Sequence, residues 1–106
     1  MTAQAPDGHG VRVLLYHATD DPAGIEAAYH EASNRLAGVP GLLGNELLRS
    51  VTDEGDFVVV STWRSMEDFE KWEQGPDHKR QTAPLRPFRD GRMRRPFAVY
   101  RVTASY

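Results

Sequence analysis

The stretch FVVVSTWRSMEDFEKW, residues 57–72, decides how this chain folds, because a strand, a terminal tryptophan and a capped helix follow one another without a linker. Phe57, Val58, Val59 and Val60 are β-branched or aromatic and apolar on both faces, the pattern of a strand covered on both sides. Trp63 closes that strand. Ser65 then offers an N-cap hydroxyl with Asp68 three residues on, and Phe69 and Trp72 share one face of the helix that follows. Gly75 and Pro76 stop the helix. Trp63 is thereby set at the mouth of the space between sheet and helix, where an indole can wall a flat ligand or simply fill core.

Working outward, residues 11–18 (VRVLLYHA) read as another strand with two apolar faces. Asp20-Asp21-Pro22 supplies an N-cap and a proline suited to a first helical position. Ile25, Tyr29, Ala32 and Leu36 recur at helical spacing, and the helix ends near Gly38. Residues 42–51 form a strand that a turn over 52–56 pairs with the Phe57 strand. A short helical piece is expected from Pro76, broken by Pro84 and Pro87, and a polar linker over 89–94 leads to a last strand over 96–104. The order β-α-β-β-α-β predicts an α+β, ferredoxin-like fold, a four-stranded antiparallel sheet with its helices on one face. Residues 1–10 read as a flexible tail and 11–106 as a single domain.

With 106 residues and 40% hydrophobic content the chain fits one soluble domain. It has no cysteine, which excludes disulfides, thiolate chemistry and Cys-ligated metal. The first residues have no signal-peptide pattern and no apolar run approaches the roughly 20 residues of a membrane span, so a cytoplasmic location and no membrane partner are expected. The net charge of −2 conceals an asymmetry: positions 20–77 hold 13 acidic and 4 basic residues, positions 79–101 hold 8 basic and the single acid Asp90. Mutual neutralisation across the fold or a dimer explains this better than a nucleic-acid surface, since no aromatic residues interleave the RDGRMRR run. No nucleic-acid partner is expected.

The helices cover one sheet face, yet the first and third strands are apolar on both faces, Val13 and Leu15 against Leu14 and Tyr16 in the first and Val58 and Val60 against Phe57 and Val59 in the third. A second copy of the sheet is the economical cover, which predicts a homodimer. The space between sheet and helices within each subunit is the expected pocket.

The apolar strand ending in Trp63, the Ser-Met-Glu-Asp-Phe that follows, the Trp72-Glu73-Gln74-Gly75-Pro76-Asp77-His78 stretch and the upstream Pro40-Gly41-Leu42-Leu43 together resemble the antibiotic biosynthesis monooxygenase (ABM) family of dimeric α+β barrels. The resemblance implies one of several activities: cofactor-independent oxygenation of anthrones or quinols, haem degradation, or roles without known chemistry. Trp63 matches the family's pocket tryptophan. The asparagine that anthrone oxygenases place four positions before it corresponds to Val59, and the ligand histidine of haem-degrading members falls near Thr82.

A cofactor-independent monooxygenase acting on an aromatic polyketide-type, anthrone- or quinol-like molecule with molecular oxygen is the expected function, without cofactor or metal. A deprotonated substrate of this kind passes an electron to dioxygen itself, so the protein supplies a base, positioning and a dry pocket. His78 is the candidate base, since an unperturbed imidazole titrates at about 6.5; it reads equally as a surface residue starting a short helix. Asn45, among leucines, can orient a substrate oxygen or lie exposed on an edge strand. Tyr16 and His17 point to opposite faces, and Tyr16 is taken as pocket lining because Leu14 shares its face. Val59 and Phe69 complete the lining, and Arg86 can stabilise an anionic enolate or superoxide, or sit solvated in its proline-rich loop. The alternative is a non-redox binding or cyclisation-accessory protein of the same fold, with haem degradation ranked lower.

Overall fold

A computed structural model describes residues 10–106, and the segment 1–9, most of the expected tail, lies outside the described residues. Eight elements follow in order: β1 (Val11–Ala18), α1 (Pro22–Arg35), β2 (Leu42–Arg49), β3 (Asp56–Trp63), α2 (Met66–Glu73), α3 (His78–Thr82), a 3-10 turn (Ala83–Phe88) and β4 (Phe97–Arg101). The strands form one antiparallel sheet in the order β2-β3-β1-β4. This is the ferredoxin-like arrangement expected of β-α-β-β-α-β, with the helices on one face.

The local causes are those the residues announce. Asp21 Oδ1 accepts from the Gly24 amide at 3.0 Å to cap α1, and Pro22 occupies its first turn. Ser65 Oγ accepts from the Asp68 amide at 3.1 Å to cap α2, while the Asp68 carboxylate accepts from the Ser65 hydroxyl and from Arg64 Nε rather than closing a full capping box. Between α1 and β2 the chain turns through Gly38 and Gly41, both at positive φ. At Gly41 a side chain has no room, since a Cβ there would lie 2.3 Å from Asp68 Cβ.

Three boundaries differ from expectation. The second strand stops at Arg49 and the last runs only over Phe97–Arg101. The helical path after Gly75 begins at His78 and continues through Pro84 and Pro87 as a 3-10 turn, because tighter winding accommodates prolines that an α-helix would reject.

Two buried clusters fill the helix side of the sheet. Ile25, Ala28 and Ala32 of α1 pack on Phe57, Val59 and Leu85; Val11, Val13 and Trp63 pack under Phe69 of α2. The alanines let α1 sit low on the sheet. The other sheet face carries an apolar centre: Leu48, Val58 and Tyr16 lie side by side across three strands, and Val60, Leu14 and Ala98 form the next row, with Glu46 at its β2 end.

The 89–96 linker is tied down. Asp90 N donates to Tyr16 O and Tyr16 N to Pro96 O, at 3.1 and 2.8 Å. Arg92 forks onto both Asp90 carboxylate oxygens and reaches Asp56 at 2.7 Å. Arg92–Asp56 and Arg80–Asp77 are the ion pairs between the basic and acidic blocks among the described residues, so neutralisation is partial. No helix among the described residues is long and apolar enough to cross a membrane.

Candidate functional site

A cavity of about 270 Å³ opens at the seam between the two buried clusters. Its floor is Val13, Leu15, Val59, Ser61 and Trp63 of the sheet; its roof includes Phe69, Trp72, Leu85 and Ala32 from the helical layer. It exists because neither cluster extends far enough to meet the other. β1 and β3 lend small aliphatic side chains there, while the large rings stand at one end.

The aromatic end is a contact group. Trp63 packs edge-on to Phe69 at 5.5 Å between centroids and tilted to Trp72 at 5.2 Å, and the His78 ring meets Trp72 edge-on at 5.4 Å. Each indole N–H is satisfied inside the protein. Trp63 Nε1 donates to Ser61 Oγ at 3.0 Å, and Trp72 Nε1 donates to Gln81 Oε1 at 2.6 Å. Gln81 is itself buried and donates from Nε2 to Arg35 O at 3.2 Å, so the Trp72 ring is fixed from α1 through a single amide.

Asn45 is positioned from the first helix as well. Its Oδ1 accepts from the Tyr29 hydroxyl at 2.5 Å and from Ser33 Oγ at 3.3 Å. Two donors on the carbonyl oxygen fix the orientation of the amide, and its NH2 group has no protein acceptor among the described residues. That leaves donors for an oxygen in the cavity. Across the roof, Thr82 Oγ1 donates to His78 O at 2.8 Å, and Arg86 Nη2 donates to Lys79 O and Thr82 Oγ1 at 3.2 and 3.3 Å.

The residues singled out in the sequence are therefore gathered with one exception. Trp63, Asn45, Val59, Phe69, His78 and Arg86 all line the cavity. Tyr16 does not. It stands on the opposite sheet face, beside Val58, because the cavity floor takes Val13 and Leu15 and strand parity turns Tyr16 away. Its neighbour His17 shares the covered face, buried against Phe57's strand, with Nδ1 lacking a hydrogen-bond partner. Burial, and secondarily the charge of Arg89, lowers the His17 pKa below its ordinary 6.5, against the raising effects of its Leu15 backbone contact and Asp90. The sequence reading missed Trp72 and Gln81 as wall and anchor, and Arg89 as a lining residue.

A family match accords with this architecture: residues 10–83 fit the description antibiotic biosynthesis monooxygenase. The chain belongs to the ABM family. Protein SchA of Streptomyces halstedii is 32% identical over 101 residues, covering 93% of this chain and 27% of SchA. The heme oxygenase (mycobilin-producing) of Mycobacterium tuberculosis is 35% identical over 68 residues, covering 60% of this chain and 65% of that protein. The chain thus spans less than two thirds of either relative. Among solved structures, SnoaB, a cofactor-independent oxygenase from Streptomyces nogalater, matches with a TM-score of 0.71 at 17% identity over 91% of this chain and 94% of that one. At that identity the likeness is one of fold. In this ABM chain Thr82 lies beside His78, so the imidazole that lines the cavity is His78.

Proposed function

We propose that this chain is a cofactor-independent monooxygenase for an anthrone- or quinol-like aromatic molecule, bound in the cavity between sheet and helices. The observation that carries the reading is the convergence of Trp63, Phe69 and Trp72, an imidazole and an amide with free donors on one apolar space. Family membership and the SnoaB fold support it.

The chemistry assigns each group a task. The flat substrate lies against the indoles, and the Asn45 NH2 donates to its ring-carbonyl oxygen, stabilising the oxyanion that forms on deprotonation. His78 removes a proton from the methylene carbon. The carbanion gives one electron to dioxygen, and the radical pair combines into a peroxide that takes up a proton. Loss of the second methylene proton, with cleavage of the O–O bond, leaves the carbonyl and releases water, so one oxygen atom enters the product and the other leaves reduced. Val59, Leu85 and Phe69 keep water from the carbanion.

Oxygen uptake with emodinanthrone tests this. Uptake well above the buffer rate is expected, and His78→Ala lowers it by about 10²–10⁴ fold, the usual contribution of a positioned base. Uptake at the buffer rate alongside tight ligand binding overturns the oxygenase reading and leaves the non-redox binding protein, which Val59 favours by standing where anthrone oxygenases carry an asparagine. A haem reading rests on His78 as the cavity's imidazole and on the mycobilin-producing relative. Hemin titration with a Soret shift that His78→Ala abolishes is its signature.

The open sheet face completes the proposal. Leu14, Tyr16, Leu48, Val58 and Val60 leave an apolar surface that a second copy would cover, each large side chain contributing about 1.5–3 kcal/mol. Light scattering should give twice the 11.9 kDa chain mass, and Val58→Arg should give monomer. A wild-type monomer at high concentration removes the homodimer.

A further inference from the structure

We infer that the cavity takes an aromatic molecule bearing a carboxylate, with Arg89 and Arg86 receiving the anionic end; this rests on the cavity being the binding site proposed above. The chain has eleven arginines, five of them paired and six not. Arg35, Arg49, Arg64, Arg80 and Arg92 each pair with a carboxylate. Arg12, Arg86, Arg89, Arg94, Arg95 and Arg101 have no carboxylate partner among the described residues, and of these six Arg86 and Arg89 line the cavity. Both are exposed at the rim, so their guanidinium groups are solvated and open to an anion, and a guanidinium fork matches a carboxylate bidentately.

The two are held differently. Arg86 is oriented by the Lys79 carbonyl and the Thr82 hydroxyl, leaving its remaining donors for a ligand. Arg89 makes no side-chain hydrogen bond in the described residues, yet its charge reaches inward far enough to depress the proton affinity of buried His17. One lining carboxylate, Glu73 on α2, opposes an anion, and it is exposed.

The anionic end lies apart from the amide. Asn45 stands on β2 at one edge of the sheet, whereas Arg89 bridges to His17 on β1 and shares its side of the cavity with Phe97 on β4 at the other edge. From β2 to β4 is three strand spacings, roughly 14 Å. A ligand that uses both ends is elongated and flat, with a ketone or phenol oxygen at the Asn45 end and its carboxylate at the arginines. The enolate formed in catalysis is thus a separate charge from the one the arginines receive.

Tryptophan-quenching titrations of the whole chain with anthraquinone-2-carboxylate and with its neutral carboxamide test this. The acid should bind about tenfold or more tightly than the amide, as a charge-assisted bidentate contact provides. Arg89→Gln should remove most of that preference without changing carboxamide affinity, and Glu73→Gln should raise affinity for the acid alone. Arg86→Gln should act like Arg89→Gln; since Arg86 also braces the turn, Arg89→Gln is the decisive variant. Equal affinity for acid and amide, or equal weakening of both by Arg89→Gln, overturns the inference while the binding site stands. Binding of neither overturns both. Hemin, whose propionates offer the same chemistry on a larger ring, separates the sources. A Soret shift lost in Arg89→Gln assigns the anionic end to a porphyrin acid, and acid-selective anthraquinone binding without a Soret shift assigns it to the smaller molecule.

Discussion

Ile25, Ala28, Ala32, Phe57, Val59 and Leu85 form one side of the interior without a polar side-chain atom, whereas Trp63 and Trp72 across the cavity carry N–H groups that must each find an acceptor. The first side packs wherever volume allows. The second is oriented by specific partners, Ser61 and Gln81, and so presents its rings at set angles. The difference teaches where stability and recognition are separated in a domain this small: Ile25, Ala28 and Phe57, which do not line the cavity, can be damaged without reshaping the ligand wall, and the aromatic side can be reshaped at modest cost in stability.

The largest effect expected is on the aliphatic side. Phe57→Ala deletes a buried ring away from the cavity lining and should cost about 3–5 kcal/mol, read from urea unfolding. The folded variant should retain wild-type affinity for anthraquinone-2-carboxylate. A parallel loss of affinity would show that the two sides are not independent.

Gln81→Leu tests the aromatic side. The substitution keeps the volume but strands the Trp72 N–H and the Arg35 carbonyl, for a cost of about 1–3 kcal/mol. Unlike Phe57→Ala, it should weaken ligand binding, because the Trp72 ring loses its anchor. A smaller change is expected from Trp72→Leu, which removes a ring that meets the ligand and should cost ~0.5–1.5 kcal/mol of affinity, up to about tenfold.

Much of this was legible before any coordinates. Asp21, Ser65 and the glycines at 38 and 41 place the ends of helices by chemistry local to the chain, and local chemistry is what a sequence displays. Trp63 and Phe69 stand at one strand–helix joint and His78 at a helix start, and all three line the cavity. Tyr16 was assigned to the wrong face for a physical reason: parity tells which residues share a face, but with both faces of β1 apolar nothing local says which face the helices cover. Gln81 and Arg89 gave no local signal, since the first matters only through Trp72 and Arg35, and the second only because no carboxylate folds against it. Counting acids against bases in residues 79–101 held the one available hint, an excess of cation that the fold leaves uncompensated.

The smallest and most specific test concerns His17, the polar group intruding at the end of the aliphatic side in register with Phe57. Burial keeps its imidazole neutral in the folded chain, whereas the unfolded chain takes up a proton below about pH 6.5. More protons then bind the unfolded state, so stability falls as the pH drops below 6.5 and levels off below the depressed native value. Asp90 adds a second, separate fall. The Arg92 hydrogen bond, opposed by burial, lowers its pKa from 3.8 to about 2, so its contribution is complete above the ordinary value and is lost as the pH descends toward 2. Urea midpoints measured between pH 8 and pH 2 should therefore decline in two steps. His17→Phe should erase the upper step, relieving the unpartnered Nδ1 at the same time, and Asp90→Asn should erase the lower one. A wild-type curve flat from pH 7 to pH 5 would show that the buried imidazole finds a proton acceptor in solution, and that the aliphatic side is less dry than its packing implies.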